Sequence, residues 1–357
     1  MIYSWQHETW DRLTVALERL PHALLLAGPS GSGKRDFAEA LAQRLLCETS
    51  RGTSAACGEC PSCNWFKSGN HPDYRLVVPE SEADEEPSEL GEPAEAAPSA
   101  GKKKKLSRQI VIEQVRALNG FVSIGTHRQG MRVILIDPAE AMNSSTANAL
   151  LKLLEEPTQS TLFLLISRSP RRLLPTIRSR CQTITFGKPD ASLARQWIAA
   201  RDGDGAEALL RFTGGMPLAA AELGGSGAAY RTQLIAAVTD IETGDPLRIA
   251  AAWESWLKQK DDEAFVPRLP VLVAWLQKWV FELVSWKIAG RSIYFPDAAQ
   301  AAQRVAMRAV LPDLFGCYNE LTRMRAIAEH PLNPRLFVED MLLRYARAVT
   351  AKGVADV

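Results

Sequence analysis

At 357 residues the chain is long enough for two or three domains, each able to bury a core of its own. Lys and Arg total 42 and Asp and Glu 41, a net charge of +1. That balance advertises neither nucleic acid nor membrane as a direct partner and brings protein partners forward.

The segment Met1 to His7 has no basic head followed by an apolar core, so no signal peptide is expected. From Ala23 to Phe186 short apolar runs alternate with amphipathic segments, which predicts strands and helices taking turns around a parallel sheet. The predicted strands are Ala23 to Ala27, Arg75 to Val78, Ile110 to Ile112, Val133 to Ile136, Leu162 to Ile166 and Thr183 to Phe186. Several are near-continuous in Leu, Ile and Val, as expected when both faces are covered. Phe37, Leu41, Leu45 and Leu46 fall on one helical stripe, and Leu150, Leu151, Leu153 and Leu154 make a second that Pro157 ends after Glu155-Glu156.

Residues Pro79 to Lys105 are acidic and rich in Ala, Pro, Ser and Glu, ending in Lys102-Lys103-Lys104-Lys105. Such a stretch buries too little apolar surface to offset its ordering entropy, so a disordered insertion is expected. The lysine run could touch nucleic acid, although a solvated linker end is the simpler reading. From Lys188 to about Ser226 the chain is Ala-rich, Gly-punctuated and helical, and beyond Ala228 nearly all of it reads as helix. Trp253, Trp256, Trp275, Trp279 and Trp286 recur at roughly helical spacing and are expected to fill a bundle core. The apolar stretch from Leu269 to Ile288 is interrupted by Gln277, Lys278, Glu282 and Lys287, so it reads as a buried helix and not a bilayer span.

Between the first predicted strand and its helix lies Gly28-Pro29-Ser30-Gly31-Ser32-Gly33-Lys34, followed by Arg35. Gly28, Gly31 and Gly33 let backbone N–H groups turn toward phosphate, and Lys34 can reach the outer phosphates. The pattern G-x-x-x-x-G-K-[ST] needs a hydroxyl at its last position to hold Mg²⁺. Arg35 has none. The apolar strand ending in Asp137 supplies the acid of such a site, but Pro138 stands where a second acid would polarise the attacking water. Asp137 is then expected to pair with Lys34 and keep the site neutral. These two defects argue against ATP or ADP binding. An active ATPase would have to use unusual residues, with Glu140 reaching the water.

Beyond the fifth predicted strand, Leu174 to Cys181 carries Arg180, a candidate to project from its own subunit and meet a neighbour's γ-phosphate. A surface position or a local ion pair is the plainer role for one arginine. Cys47, Cys57, Cys60 and Cys63 form C-x9-C-x2-C-x2-C, a set able to close a tetrahedral Zn²⁺ shell that stabilises and does not catalyse. An iron–sulfur cluster or free thiols are the alternatives. This use of cysteine fits a reduced cytosol better than a disulfide framework. Cys181 and Cys317 read as ordinary buried thiols, and His71 beside Pro72 as a packing or hydrogen-bonding residue. A direct DNA-binding role through the cysteine module and Lys102 to Lys105 is disfavoured by the neutral overall charge.

Taken together, His22 to Gly28, Cys57 to Cys63 leading to Gly69-Asn70-His71-Pro72-Asp73, and Ala147 to Pro157 resemble the clamp-loader branch of the AAA+ family. Ser179-Arg180-Cys181 matches that family's arginine-finger triplet, and the resemblance covers nearly the whole chain. Active gamma and tau members keep Thr or Ser after the loop lysine, Glu after the strand Asp, and a lid arginine at a helix start. Here those places read Arg35, Pro138 and Gly214-Gly215-Met216-Pro217-Leu218. The insertion at 79–105 is not part of the family pattern.

The resemblance implies an α/β chain: an AAA+ P-loop domain with a parallel sheet over 1–186, carrying the zinc module (47–63), then a small helical lid domain (187–226) and a C-terminal all-α collar (227–357). It further implies a cytoplasmic bacterial subunit that does not hydrolyse ATP. Arg180 would be presented to a neighbouring gamma or tau subunit. Its partners would be gamma/tau and delta loader subunits, with the sliding clamp and primer-template DNA reached through the complex. The alternative is an active loader ATPase of the gamma/tau type.

Overall fold

Ala23–Ala27 is buried at every position and forms the inner strand β1 of a five-stranded sheet. A computed structural model describes residues 1–49, 55–82, 107–123, 130–158, 160–202, 205–259, 265–330 and 332–350. The expected insertion thus lies outside the described residues, apart from 79–82. Two units are resolved, Met1–Lys188 and Pro189–Val357.

In the first unit β1 is joined by β2 (Tyr74–Val77), β3 (Arg132–Ile136), β4 (Thr161–Ser167) and β5 (Gln182–Thr185). All pairings are parallel, in the order β2-β3-β4-β1-β5. Its helices are α1 (His7–Val15), α2 (Lys34–Leu46), α3 (Pro61–Lys67), α4 (Ile112–Ser123), α5 (Ser144–Glu155) and α6 (Pro175–Arg180).

The two-residue period of a strand explains why the apolar runs are continuous. Leu24 and Leu26 turn to one face, against Trp10, Phe37 and Leu41. Ala23, Leu25 and Ala27 turn to the other, in the cluster that holds Val115, Leu150, Leu154 and Ile177. Parallel alignment brings the loops after β1 and β3 to the same C-terminal edge, where ligands of such sheets bind.

One predicted strand is not a strand. Ile110 makes a single parallel bridge to Met142, and α4 begins at Ile112. Gln114 is the reason: its side-chain oxygen accepts from Val111 N–H at 2.9 Å while its amide donates to Val78 O at 2.8 Å, satisfying the first turn of a helix. Described residues on either side of 83–106 are bonded to each other: Ser107 N–H donates to Glu80 and Ser81 N–H donates to Ser107 O, each at 3.0 Å.

The second unit is helical throughout its described residues, with α7 (Ala191–Asp202), α8 (Ala206–Phe212), α9 (Pro217–Glu222), α10 (Ser226–Thr239), α11 (Pro246–Leu257), α12 (Leu269–Ala289), α13 (Ala299–Arg308), α14 (Leu311–Ile327) and α15 (Pro334–Val349). A single core runs from Ala194 to Val349, joining residues on both sides of position 226. Trp253, Trp256, Trp275 and Trp279 are buried in it and Trp286 packs against it.

Three of the four polar residues that interrupt α12 have work inside the bundle, and the fourth, Lys287, is exposed. Lys278 Nζ donates to Phe212 O at 2.8 Å, Gln277 donates to Thr322 at 2.7 Å, and the buried Glu282 carboxylate accepts from Ile293 and Tyr294 N–H. Among the described residues no helix is long and apolar enough to cross a membrane.

Candidate functional site

The glycine loop leaves β1 at Gly28, whose N–H donates to Ser167 O at the end of β4 (3.0 Å). A Cβ at Gly28 would sit 2.2 Å from Phe186 O, so no other residue fits there. Gly31 and Gly33 have φ of +78° and +81°, the left-handed region that glycine enters without strain. Helix α2 starts at Lys34, and the free N–H groups of its first turn lie at the loop. Lys34 is only 6% exposed. Its ammonium donates to Pro29 O at 2.7 Å and approaches Ser32 Oγ at 3.4 Å. Burial lowers its pKa to about 8, against the upward pull of Asp137 and Glu140.

The expected Lys34–Asp137 pair does not form. Arg35 takes the acid instead: Nη1 lies 3.3 Å from Asp137 Oδ2, and Nε lies 3.0 Å from Glu39 Oε1 one turn along α2. From the first turn of the helix its long arm crosses to the end of β3, while the Lys34 ammonium stays within the loop. Burial raises the Asp137 carboxyl above its ordinary pKa, and the Arg35 charge opposes that rise. A magnesium ion does not fit this arrangement, because position 35 offers no hydroxyl and Asp137 already faces a guanidinium. Glu140, the substitute acid, engages Arg168 through one oxygen: Oε1 accepts from Arg168 N–H at 3.0 Å and lies 3.5 Å from its guanidinium.

Sequence reasoning missed a third layer. Gln6 donates to the carbonyls of Ser32 and Gly33, both at 2.9 Å, and Trp5 Nε1 donates to Ser32 O at 3.2 Å. Tyr3 stacks on Trp5 with centroids 4.8 Å apart, and its hydroxyl donates to Asp36 at 3.0 Å. This N-terminal segment lies so close to the loop that a Cβ at Gly33 would meet Gln6 Nε2 at 2.6 Å. The cluster Tyr3-Ser4-Trp5-Gln6 was visible in the sequence, but only fold shows what it touches.

Arg180 is the last residue of α6, a short helix opened by Pro175. Its side chain is 34% exposed, with Nη2 2.6 Å from Glu155 Oε1 and Nη1 3.2 Å from Thr176 O. The tip is therefore within reach of solvent and held by a local acid at the end of α5. At the lid position, Gly214 and Gly215 both have positive φ and α9 begins with Pro217-Leu218, so no cation stands there.

The four cysteines converge as their spacing predicted, with all Sγ atoms within 4.8 Å of one another. Measured edges are 3.5 Å for Cys47–Cys57, 3.9 Å for Cys47–Cys60 and 3.9 Å for Cys57–Cys63. A tetrahedron with metal–sulfur bonds of about 2.3 Å has edges of about 3.8 Å, so the thiols fit a four-coordinate ion. Backbone N–H groups of Glu59 and Cys60 point at Cys57 Sγ (3.4 and 3.3 Å) and orient it. His71 braces the module without joining it. Asp73 N–H donates to Nδ1 at 3.0 Å, so Nε2 carries the proton toward Ser62 Oγ at 2.7 Å, and that hydroxyl donates to Leu46 O at 2.6 Å. Cys181 and Cys317 are buried and apart, their thiols pushed up to about 11 and about 12 by desolvation.

A family model described as "DNA polymerase III, delta subunit" matches residues 5–190. The DNA polymerase III subunit delta' of Pseudomonas aeruginosa is 34% identical over 355 residues, covering 97% of each chain. Its counterpart in Escherichia coli is 28% identical over 96% of this chain and 94% of its own. The subunit tau of Escherichia coli is 32% identical over 167 residues, covering 47% of this chain and 22% of tau.

Proposed function

The chain belongs to the DNA polymerase III delta-prime subunit family, and on that footing we propose that it is the non-hydrolysing stator of a bacterial clamp loader. In this reading it works in the cytoplasm beside gamma or tau and delta subunits, and meets the sliding clamp and primer-template DNA through their complex. The observation that carries the stator role is the Arg35–Asp137 pair, which engages the acid a motor would keep for its metal, beside Pro138 where the water-polarising acid would stand. The chain's contribution to ATP hydrolysis is then made at a neighbour's site. Arg180, at the tip of α6 and within reach of solvent, supplies a cation for charge that builds on the transferred phosphoryl group. The cysteine module would hold one structural zinc, with Cys47, Cys57, Cys60 and Cys63 as ligands.

The reading is tested by incubating the purified chain with ATP. It predicts no turnover above that of a Lys34→Ala variant. Turnover by the wild type that Lys34→Ala abolishes would show a motor, and the stator role would be wrong.

A further inference from the structure

We propose that Cys47 and Cys57 are the oxidant-sensitive half of the cysteine cluster: a hydroperoxide converts them to a reversible disulfide, which opens the metal shell while Cys60 and Cys63 stay reduced. The inference rests on the four-sulfur reading of this module and deepens it. It is independent of Arg180 and of the stator role.

The four sulfurs are alike as ligands but not in access. Cys57 is exposed and Cys47 half-buried, whereas Cys60 and Cys63 are only 9% and 1% exposed. Local structure makes that division. Cys60 caps the N-terminus of α3 and Cys63 lies in its first turn, beside the buried Ser62. Cys47 follows the last residue of α2, and Cys57 stands in the chain ahead of α3. An oxidant arriving from solvent therefore meets the outer pair first.

Geometry also selects the partner. Cys57 Sγ lies 3.5 Å from Cys47 Sγ and 3.9 Å from Cys63 Sγ. The Cys57 N–H donates to Cys47 Sγ at 3.4 Å, so one residue both carries the reacting sulfur and holds its neighbour beside it. Closing that gap to a disulfide bond of about 2.05 Å takes a shift of about 1.5 Å. The Cys57 sulfur attacks a peroxide oxygen, the O–O bond breaks, and an alcohol or water leaves, giving a sulfenic acid. The Cys47 sulfur then attacks the sulfenic sulfur; an S–S bond forms and the hydroxyl departs as water. The two thiols give up two electrons and two protons, and the peroxide takes both. Two thiolates remain, too few for a closed tetrahedral shell. The new bond still ties the end of α2 to the chain ahead of α3, as does Ser62 Oγ donating to Leu46 O at 2.6 Å, so the unit stays folded while its metal site is open. A dithiol reductant reverses the bond by exchange.

The test treats the full chain, purified reduced and then freed of reductant, with hydrogen peroxide. Released zinc is read with a chromogenic chelator, and disulfides are mapped by mass spectrometry of alkylated peptides. The expected result is one zinc released per Cys47–Cys57 disulfide, with Cys181 and Cys317 still reduced. Dithiothreitol with added zinc should restore the thiols and the metal, and circular dichroism should show the oxidised chain folded. Cys57→His keeps a shell of three sulfurs and one nitrogen and should release zinc at least about tenfold more slowly. If that variant holds no zinc, the wild-type map alone decides. The same disulfide in a chain that carried no metal at the outset would support the pair and count against the zinc reading. The proposal is overturned by a disulfide joining any other pair, by oxidation at Cys181 or Cys317 ahead of Cys57, or by cysteines that stay reduced in about tenfold excess peroxide. Zinc release without the Cys47–Cys57 bond, failure of dithiothreitol to restore the thiols, or release from Cys57→His as fast as from wild type would overturn it equally.

Discussion

Arg180 must leave Glu155 before it can touch a neighbour's phosphate, and the cost of leaving sets a limit on what Glu155→Ala can do. The pair is short, 2.6 Å, but open to water, with the two side chains 34% and 48% exposed. Exposed pairs contribute about 0.2–1 kcal/mol. Removing the acid therefore raises the population of unpaired Arg180 by about 1.4- to 5-fold, taking RT as about 0.59 kcal/mol. The contact to Thr176 O survives, so the arm keeps its direction. The assay is single-turnover ATP hydrolysis by the reconstituted loader, read at the site adjoining this chain. Glu155→Ala should leave that rate within about fivefold of wild type and on the faster side, whereas loss of a finger costs on the order of 10³-fold. In an Arg180→Ala background the effect of Glu155→Ala should vanish, because the acid acts through the arginine. A Glu155→Ala complex as slow as the finger variant, or an effect that persists without Arg180, would refute this coupling.

Three further outcomes follow from the geometry. Protein purified under reducing conditions should carry about one equivalent of zinc, which Cys60→Ser loses, and a strong chelator should lower the thermal midpoint of the wild type; metal retained in Cys60→Ser would contradict the four-sulfur shell. Asp297→Ala strips the buried Arg231 of its bidentate partner (2.7 and 2.6 Å). The variant should lose roughly 2–3 kcal/mol in urea denaturation, below the 3–5 usual for a sealed pair because water reaches Asp297; a loss under about 0.5 kcal/mol would mean the guanidinium is held by its aromatic neighbours alone. Lys34 has its folded pKa lowered to about 8 from 10.5, so between those values the unfolded chain binds the extra proton and this residue makes stability rise with pH. The advantage of Lys34→Met over wild type should accordingly be full below about pH 8 and fade toward 10.5; a constant difference across that window would show that the ammonium is not desolvated.

Local chemistry made much of this legible in the sequence. An unbroken apolar run followed by Gly28, and a leucine stripe after Lys34, placed β1 and α2 because both periodicities are intrinsic to the segment. The cysteine module was equally readable, since the spacing of Cys57, Cys60 and Cys63 within one turn-and-helix leaves little freedom. What failed was long-range. Arg35 and Asp137 are 102 positions apart, and residue types alone favoured Lys34 as the partner; only the parallel alignment of β1 with β4 and β3 decides whose arm reaches. Ile110 to Ile112 looked like a strand because β-branched residues do, yet the bonds made by Gln114 turn the chain into a helix after a single bridge. The grip of Trp5 and Gln6 on the loop carries no motif at all, since their partners are backbone carbonyls.

Arg180→Ala in the reconstituted clamp loader decides whether this chain works at another subunit's ATP. The variant should assemble normally and its neighbours should still bind nucleotide, while single-turnover hydrolysis at the adjoining site falls on the order of 10³-fold and clamp loading slows with it. Hydrolysis at that site unchanged from wild type, in a complex shown to contain the variant, would contradict the stator role proposed for this chain.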